Sequence, residues 1–177
     1  MRISRLPLAG LAVLIGAGAK DALANDVTIS TATTTPLQTS APDGASPGNI
    51  TVANTGSIAV TAGQTAITVN TSNNVTNNGA LSSENADNTA GIVILGGNTG
   101  TITNAGAINL LETYTQTDSD NDGDLDGAVA IGLNRFGIRL NSGAAFIGDI
   151  INSGAITVEG VNSAGIRLDA LLDGDLR

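Results

Sequence analysis

A phrase recurs along the chain, and its recurrence restricts the fold more than any other property. Four heptads read aliphatic-x-Asn-x-Gly-x-aliphatic: VANTGSI at 52–58, VTNNGAL at 75–81, ITNAGAI at 102–108 and IINSGAI at 150–156. A second phrase follows each: TAITV at 65–69, AGIVI at 90–94, FGIRL at 136–140 and AGIRL at 164–168. The heptad asparagines stand at 54, 77, 104 and 152, in steps of 23, 27 and 48. From each Asn to the small residue of the second phrase (Ala66, Gly91, Gly137, Gly165) the gaps are 12, 14, 33 and 13. The third gap is longer by about 20 residues, and removing that excess brings the 48-residue step back into line, as expected of a solenoid with one insertion, near 112–131.

Alternating apolar residues are the period of a strand. Asn and Gly between strands tolerate the left-handed backbone that tight turns require. The Thr, Asn, Gly and Val content opposes a helical repeat. The fold class predicted is therefore all-β: a parallel β-helix of about four coils over 48–177, with equivalent residues of successive coils stacked ~4.8 Å apart. Ile58, Leu81, Ile108 and Ile156 would form one inward column, and Ile67, Ile92, Ile138 and Ile166 another. Asn54, Asn77, Asn104 and Asn152 would form an amide ladder at a turn or serve only as turn formers. Neither role implies catalysis. Aromatic residues are too few to anchor a conventional core, with Tyr114, Phe136, Phe146 and no Trp.

Residues 1–24 are of another kind. Arg2 and Arg5 precede a run of 12 apolar residues, LAGLAVLIGAGA at 8–19, and ALA at 22–24 offers a small-x-small cleavage site. This reads as a secretory signal peptide, too short to span a membrane comfortably. Residues 25–47, rich in Thr, Ser and Ala with three of the four prolines, read as a low-complexity segment or an N-terminal cap, with a short strand at DVTIS, 26–30. At the other end, Leu176 falls where the period repeats Ile150, so the chain is expected to enter a further coil and to be the front of a longer polypeptide.

Without residues 1–24 the chain has four arginines against 15 acids, net −11. Phosphate binding needs a basic face, so nucleic acid is not an expected partner, and neither is an anionic membrane surface. There is no Cys, hence no disulfide and no thiol chemistry. No His occurs, and no Lys after residue 24, which leaves carboxylates as the usual general bases. No catalytic residues are assigned, and the chain is read as a non-enzyme.

Two constellations carry chemistry. The insertion contains DSDNDGDLDG at 118–127. Asp118, Asp120, Asp122, Asp124 and Asp126 follow the alternation of a calcium loop, with Gly123 at its sharp turn. Val129 stands where the bidentate Glu would be, and Glu112 is a candidate for a missing oxygen. The alternative is a solvated acidic loop without a fixed ion. Arg139 and Arg167 share an outward position on neighbouring coils, after Thr68 and Val93. They read either as an anion- or sugar-contacting patch or, more plainly, as a solvated face near Asp149 or Asp169.

A signal peptide, a Cys-free Thr/Ser/Asn/Gly-rich chain and degenerate N-x-G-x-I coils together resemble the N-terminal passenger region of bacterial autotransporters. That resemblance implies export across the inner membrane, a place on the surface or outer membrane of a Gram-negative bacterium, and an adhesive or stalk role. Host or environmental glycans or proteins would be its partners. It also implies membrane insertion through a C-terminal barrel, and no such strands occur before Arg177. The alternative is the front part of a β-helical polysaccharide-processing enzyme.

Overall fold

The computed structural model describes residues 25–128 and 130–177; the expected signal peptide and Val129 lie outside them. The chain winds as an all-β parallel solenoid of five coils. The first coil holds β1 (Val27–Ile29), β2 (Ala32–Thr33) and β3 (Leu37–Gln38); the second β4 (Ile50–Val52), β5 (Ser57–Ala59) and β6 (Thr65–Val69). The third holds β7 (Val75–Asn77), β8 (Ala80–Glu84) and β9 (Ala90–Ile94); the fourth β10 (Ile102–Asn104), β11 (Ala107–Leu111) and β12 (Phe136–Leu140), followed by β13 (Phe146–Ile147). The fifth holds β14 (Ile150–Asn152), β15 (Ala155–Val158) and β16 (Ala164–Leu168), and β17 (Leu172–Asp173) follows. Three five-stranded parallel sheets result, β1-β4-β7-β10-β14, β2-β5-β8-β11-β15 and β3-β6-β9-β12-β16, with a small pair β13-β17 at a corner.

The coil beyond the four expected is the first, residues 27–38. Its strands are short, and it lacks the N-x-G heptad, so the repeat does not reveal it. It pairs in register all the same: Thr33 lies beside Ile58, and Leu37 beside Ile67. The buried hydroxyl of Thr39 ties it down by accepting the Asn70 and Thr71 amides at 3.0 and 3.1 Å. At the far end Leu176 bridges Ile150 in parallel, the pairing that the period predicts.

Both aliphatic columns form as expected. Ile58, Leu81, Ile108 and Ile156 are successive register partners on the second sheet, and Ile67, Ile92, Ile138 and Ile166 on the third. A third column, Ile50, Val75, Ile102 and Ile150, lines the first sheet. The core is thus a stack of aliphatic tiers, and Phe146 is the one fully buried ring in it.

The asparagine ladder is real but shorter than expected. Asn77 donates its amide to Asn104 Oδ1 at 2.7 Å, and Asn104 donates to Asn152 Oδ1 at 2.7 Å. Asn54 is not part of it. The pairing partner of Asn77 in the second coil is Val52, because that coil takes two more residues to turn from β4 to β5. Asn54 therefore sits exposed in the turn, and the buried Oδ1 of Asn77 faces an apolar neighbour without a hydrogen bond among the described residues.

The motif glycines serve close approach, not left-handed turns: none of Gly56, Gly79, Gly106 and Gly154 has a positive φ. A Cβ built on Gly106 would lie 2.1 Å from the Gly79 carbonyl oxygen and 2.7 Å from the Asn78 carbonyl carbon. The coils touch backbone to backbone at this corner, and the Gly106 amide donates to the Asn77 carbonyl at 2.9 Å. Gly106→Ala must push two hydrogen-bonded coils apart. It is expected to cost about 1–3 kcal/mol, the range for overpacking, read as a lowered urea midpoint at unchanged slope. Gly63→Ala, at an open turn with nothing within 4 Å of its Cβ, carries only the strain of its positive φ and separates the two causes.

Candidate functional site

The excursion between β11 and β12 departs where neighbouring coils turn within 85–89 and 159–163. Its feet are fastened by a buried cation that the repeat gives no reason to notice. Arg135 is 1% exposed. Its Nε donates to the Ala86 carbonyl at 2.9 Å, and its Nη1 donates to Glu112 Oε2 at 2.9 Å and to the Glu159 carbonyl at 3.0 Å. Asp87 lies 3.6 Å from Nη2. One guanidinium therefore links the third, fourth and fifth coils, as its planar fork of donors allows.

Glu112 completes the clamp. Its two oxygens accept the Ile131 and Gly132 amides at 3.0 and 2.7 Å, which joins the two ends of the excursion. These bonds, with Arg135, hold its carboxyl below the usual carboxylate range against the opposing effect of burial. So Glu112 does not supply an oxygen to the aspartate loop. A Cβ on Gly132 would lie 2.0 Å from Arg135 Nη2, so a side chain there would displace the guanidinium from the clamp.

The acidic loop is held out on this clamp. Thr117 and Asp126 pair antiparallel at its base, with the Asp126 amide donating to the Thr117 carbonyl at 3.0 Å. Gly123, at φ 97°, makes the turn, and its amide donates to Asp118 Oδ2 at 3.1 Å. Asp126 accepts the Ser119 amide and hydroxyl, the two strongest reasons why its carboxyl titrates below the ordinary value. Of the five aspartates expected to converge, three do: Asp118, Asp120 and Asp126 each place a carboxylate oxygen within 4.8 Å of the others. Asp122 and Asp124 are not in this group. Asp122 accepts the Asp124 amide at 3.1 Å, so the middle of the loop closes on itself.

Two facts bear on the fit of a cation. Ligands on opposite sides of a calcium ion are about 5 Å apart, twice the Ca–O distance of 2.3–2.6 Å, and the trio spans no more than that. Asp118 Oδ1 is a buried oxygen with no hydrogen-bond partner among the described residues. The donor set is all hard oxygen, which suits calcium or magnesium in preference to zinc.

Arg139 and Arg167 are register partners, and Asp169 accepts the Nε of each at 2.7 Å. Of the two carboxylates expected near them, Asp169 takes both; Asp149 pairs with Arg177 at the end of the chain. The hydrogen bonds from Arg167 and then Arg139 hold the Asp169 carboxyl below its ordinary value of 3.8. A depressed folded value adds stability above the unfolded value, and that stability is lost as pH falls through the folded one. Acid titration of Asp169→Asn by thermal melting is expected to show less loss below pH 4 than the parent chain. An identical acid limb would contradict the bridge.

The chain matches no family model, no curated protein and no solved structure.

Proposed function

We propose that this chain is part of an exported cell-surface solenoid of the autotransporter passenger kind. It acts as a stalk that displays a calcium-ordered loop to partners outside the cell. The observation that carries the reading is the in-register parallel stack of five coils with one clamped excursion on its flank. Such a stack lengthens by ~4.8 Å with every coil added, so repetition alone makes a spacer. The acidic, Cys-free composition and the N-terminal apolar run support export. The test is antibody labelling of cells carrying the full-length gene, with serum raised against residues 25–177. Labelling of intact cells is expected. Labelling only after the outer membrane is permeabilised would sink the reading.

In this proposal Asp118, Asp120 and Asp126 hold calcium, which neutralises their mutual repulsion and fixes the tip of the excursion. A ligand that binds only the folded state stabilises it by about 2.7 kcal/mol at a hundredfold excess over Kd. Millimolar calcium is expected to raise the melting temperature by several degrees and to protect 114–130 from protease, with chelator reversing both. Asp118→Asn with Asp126→Asn should abolish the response. Melting and cleavage indifferent to calcium would remove the metal from the account.

A further inference from the structure

The outward side of the third sheet carries a groove of about 460 Å³. Its floor rests on a break in the alternation of sides that recurs from coil to coil, at Gly91 in β9 and at Gly137 in β12: a Cβ on Gly137 would lie 2.5 Å from Ile156 Cγ2, in the core, and Ile138 is also buried in the core. Phe136 consequently turns outward, and Arg139 and Arg167 fold over it. Their guanidinium carbons lie 4.6 and 5.3 Å from the ring centroid. Cation–π contact with the ring and the shared bond to Asp169 fix both arginines on the groove.

What these arginines leave unused is the informative part. Each spends its Nε on Asp169, and neither has an Nη partner among the described residues. Two cations against one carboxylate leave an excess of one positive charge in a chain of net charge −9. Arg135 is consumed inside the clamp, and Arg177 is bound to Asp149. Among the described residues, the two guanidiniums with neither Nη hydrogen-bonded therefore stand side by side at this groove.

The facing wall is a row of amides. Asn88, Asn134 and Asn162 stand on the third, fourth and fifth coils, with φ of 56°, 57° and 52°. Asn162 donates to Asn134, and Asn134 donates to Asn88 Oδ1 at 2.8 Å. The row thus ends in an Asn88 Nδ2 donor and an Asn162 Oδ1 acceptor that have no partner among the described residues. Amides of this kind match hydroxyls, which both donate and accept.

We propose that the groove binds a carboxylated saccharide, with its carboxylate against the Nη edges of Arg139 and Arg167 and its hydroxyls along the asparagine row. A guanidinium offers paired donors that match a carboxylate in plane. One excess positive charge suits one acidic sugar at a time, whereas a densely charged polyanion would be repelled by the rest of the surface. The groove is partly open, and its lining runs from Thr65 on the second coil to Arg167 on the fifth, as an oligomer needs and a small enclosed metabolite does not. The inference does not depend on the export reading, because it concerns the purified chain.

The experiment is a titration of 15N-labelled residues 25–177 with a short neutral oligosaccharide that carries a single uronic acid, and in parallel with its uncharged methyl ester and with acetate. Amide shifts are expected at 88, 134, 139, 162 and 167. The ester should bind at least tenfold more weakly, acetate should not compete at equal concentration, and affinity should fall as salt rises. Arg139→Gln and Arg167→Gln should each weaken binding at least tenfold with melting little changed. Arg167→Lys should recover little, because it keeps the charge and loses the fork. No binding, shifts confined to other surfaces, equal affinity for the ester, or competition by acetate would overturn the proposal. Should the variants fail to fold, the shift map and the ester comparison on the unaltered chain decide it.

Discussion

Arg135→Ala is expected to be among the most damaging single substitutions in the described chain, although it touches no aliphatic column. The guanidinium is 1% exposed and satisfies the carbonyls of Ala86 and Glu159 as well as Glu112. Alanine leaves both carbonyls without a donor, and each buried orphan costs about 1–3 kcal/mol. It also leaves the Glu112 carboxylate against Ile131 and Gly132 without its counter-charge. For a chain of this length about 2–4 °C is lost per kcal/mol, so melting should fall by roughly 10 °C. Arg135→Lys should rescue little, since an ammonium cannot reach three coils at once. Limited proteolysis separates the clamp from a general loss of fold: cleavage should appear first within 112–135, while the coils on either side persist. A variant that melts within 2 °C of the parent, with the excursion uncleaved, would show that the clamp holds nothing.

Ile108→Ala is the second large effect. Ile108 is fully buried in the middle of its column, between Leu81 and Ile156. Its Cγ2 also lies 2.7 Å from where a Cβ of Gly91 would be, so it packs onto bare backbone of the next sheet. Backbone held by hydrogen bonds on both sides cannot collapse into the space. The cost should lie high in the range of about 2–5 kcal/mol for large-to-small substitutions in cores. Since each coil contacts only its neighbours, damage in the fourth coil weakens two interfaces at once. Ile156→Ala, at a partly buried tier, should cost about half as much. Urea midpoints measure both, and equal losses would contradict the tiered core.

The legible part of this molecule was what repeats. Fixed spacing placed both isoleucine columns, the paired Arg139 and Arg167, the excursion and the position of Leu176 over Ile150. Illegible were features that depend on what lies one coil away. Residues 27–38 form a coil because a well-patterned neighbour templates them, not because they carry the phrase. Asn54 matches the heptad letter for letter, yet two extra turn residues move it out of line with Asn77. The heptad glycines suggest turns in sequence, but their reason is a carbonyl oxygen on another coil that an added Cβ would meet at 1.9–2.2 Å.

The candidate site was legible to a lesser degree. Alternating aspartates announced an oxygen-rich loop, but which of them meet depends on the antiparallel base at Thr117 and Asp126 and on the inner turn at Asp122. Arg135 gave no signal: in sequence it is a lone cation before a strand. A useful sign would have been that it is a charged residue beside the end of an insertion whose other end carries Glu112. The groove was hidden for another reason. That Phe136 faces outward follows from the broken alternation at Gly137, and alternation is what a sequence reading assumes.

Cysteine cross-linking tests the stack most directly, because the chain has no cysteine of its own. Thr51, Thr76, Thr103 and Ile151 are successive partners on the first sheet. Neighbours in that column lie about 4.8 Å apart and alternate members about twice that, and a disulfide spans Cα separations only up to about 7 Å. Oxidation should therefore join Cys pairs at 51/76, 76/103 and 103/151, the last across the whole excursion, and should leave 51/103 and 76/151 unjoined. Failure of 103/151 to form while 51/103 closes would mean that the coils do not stack in this order, and the solenoid would be wrong.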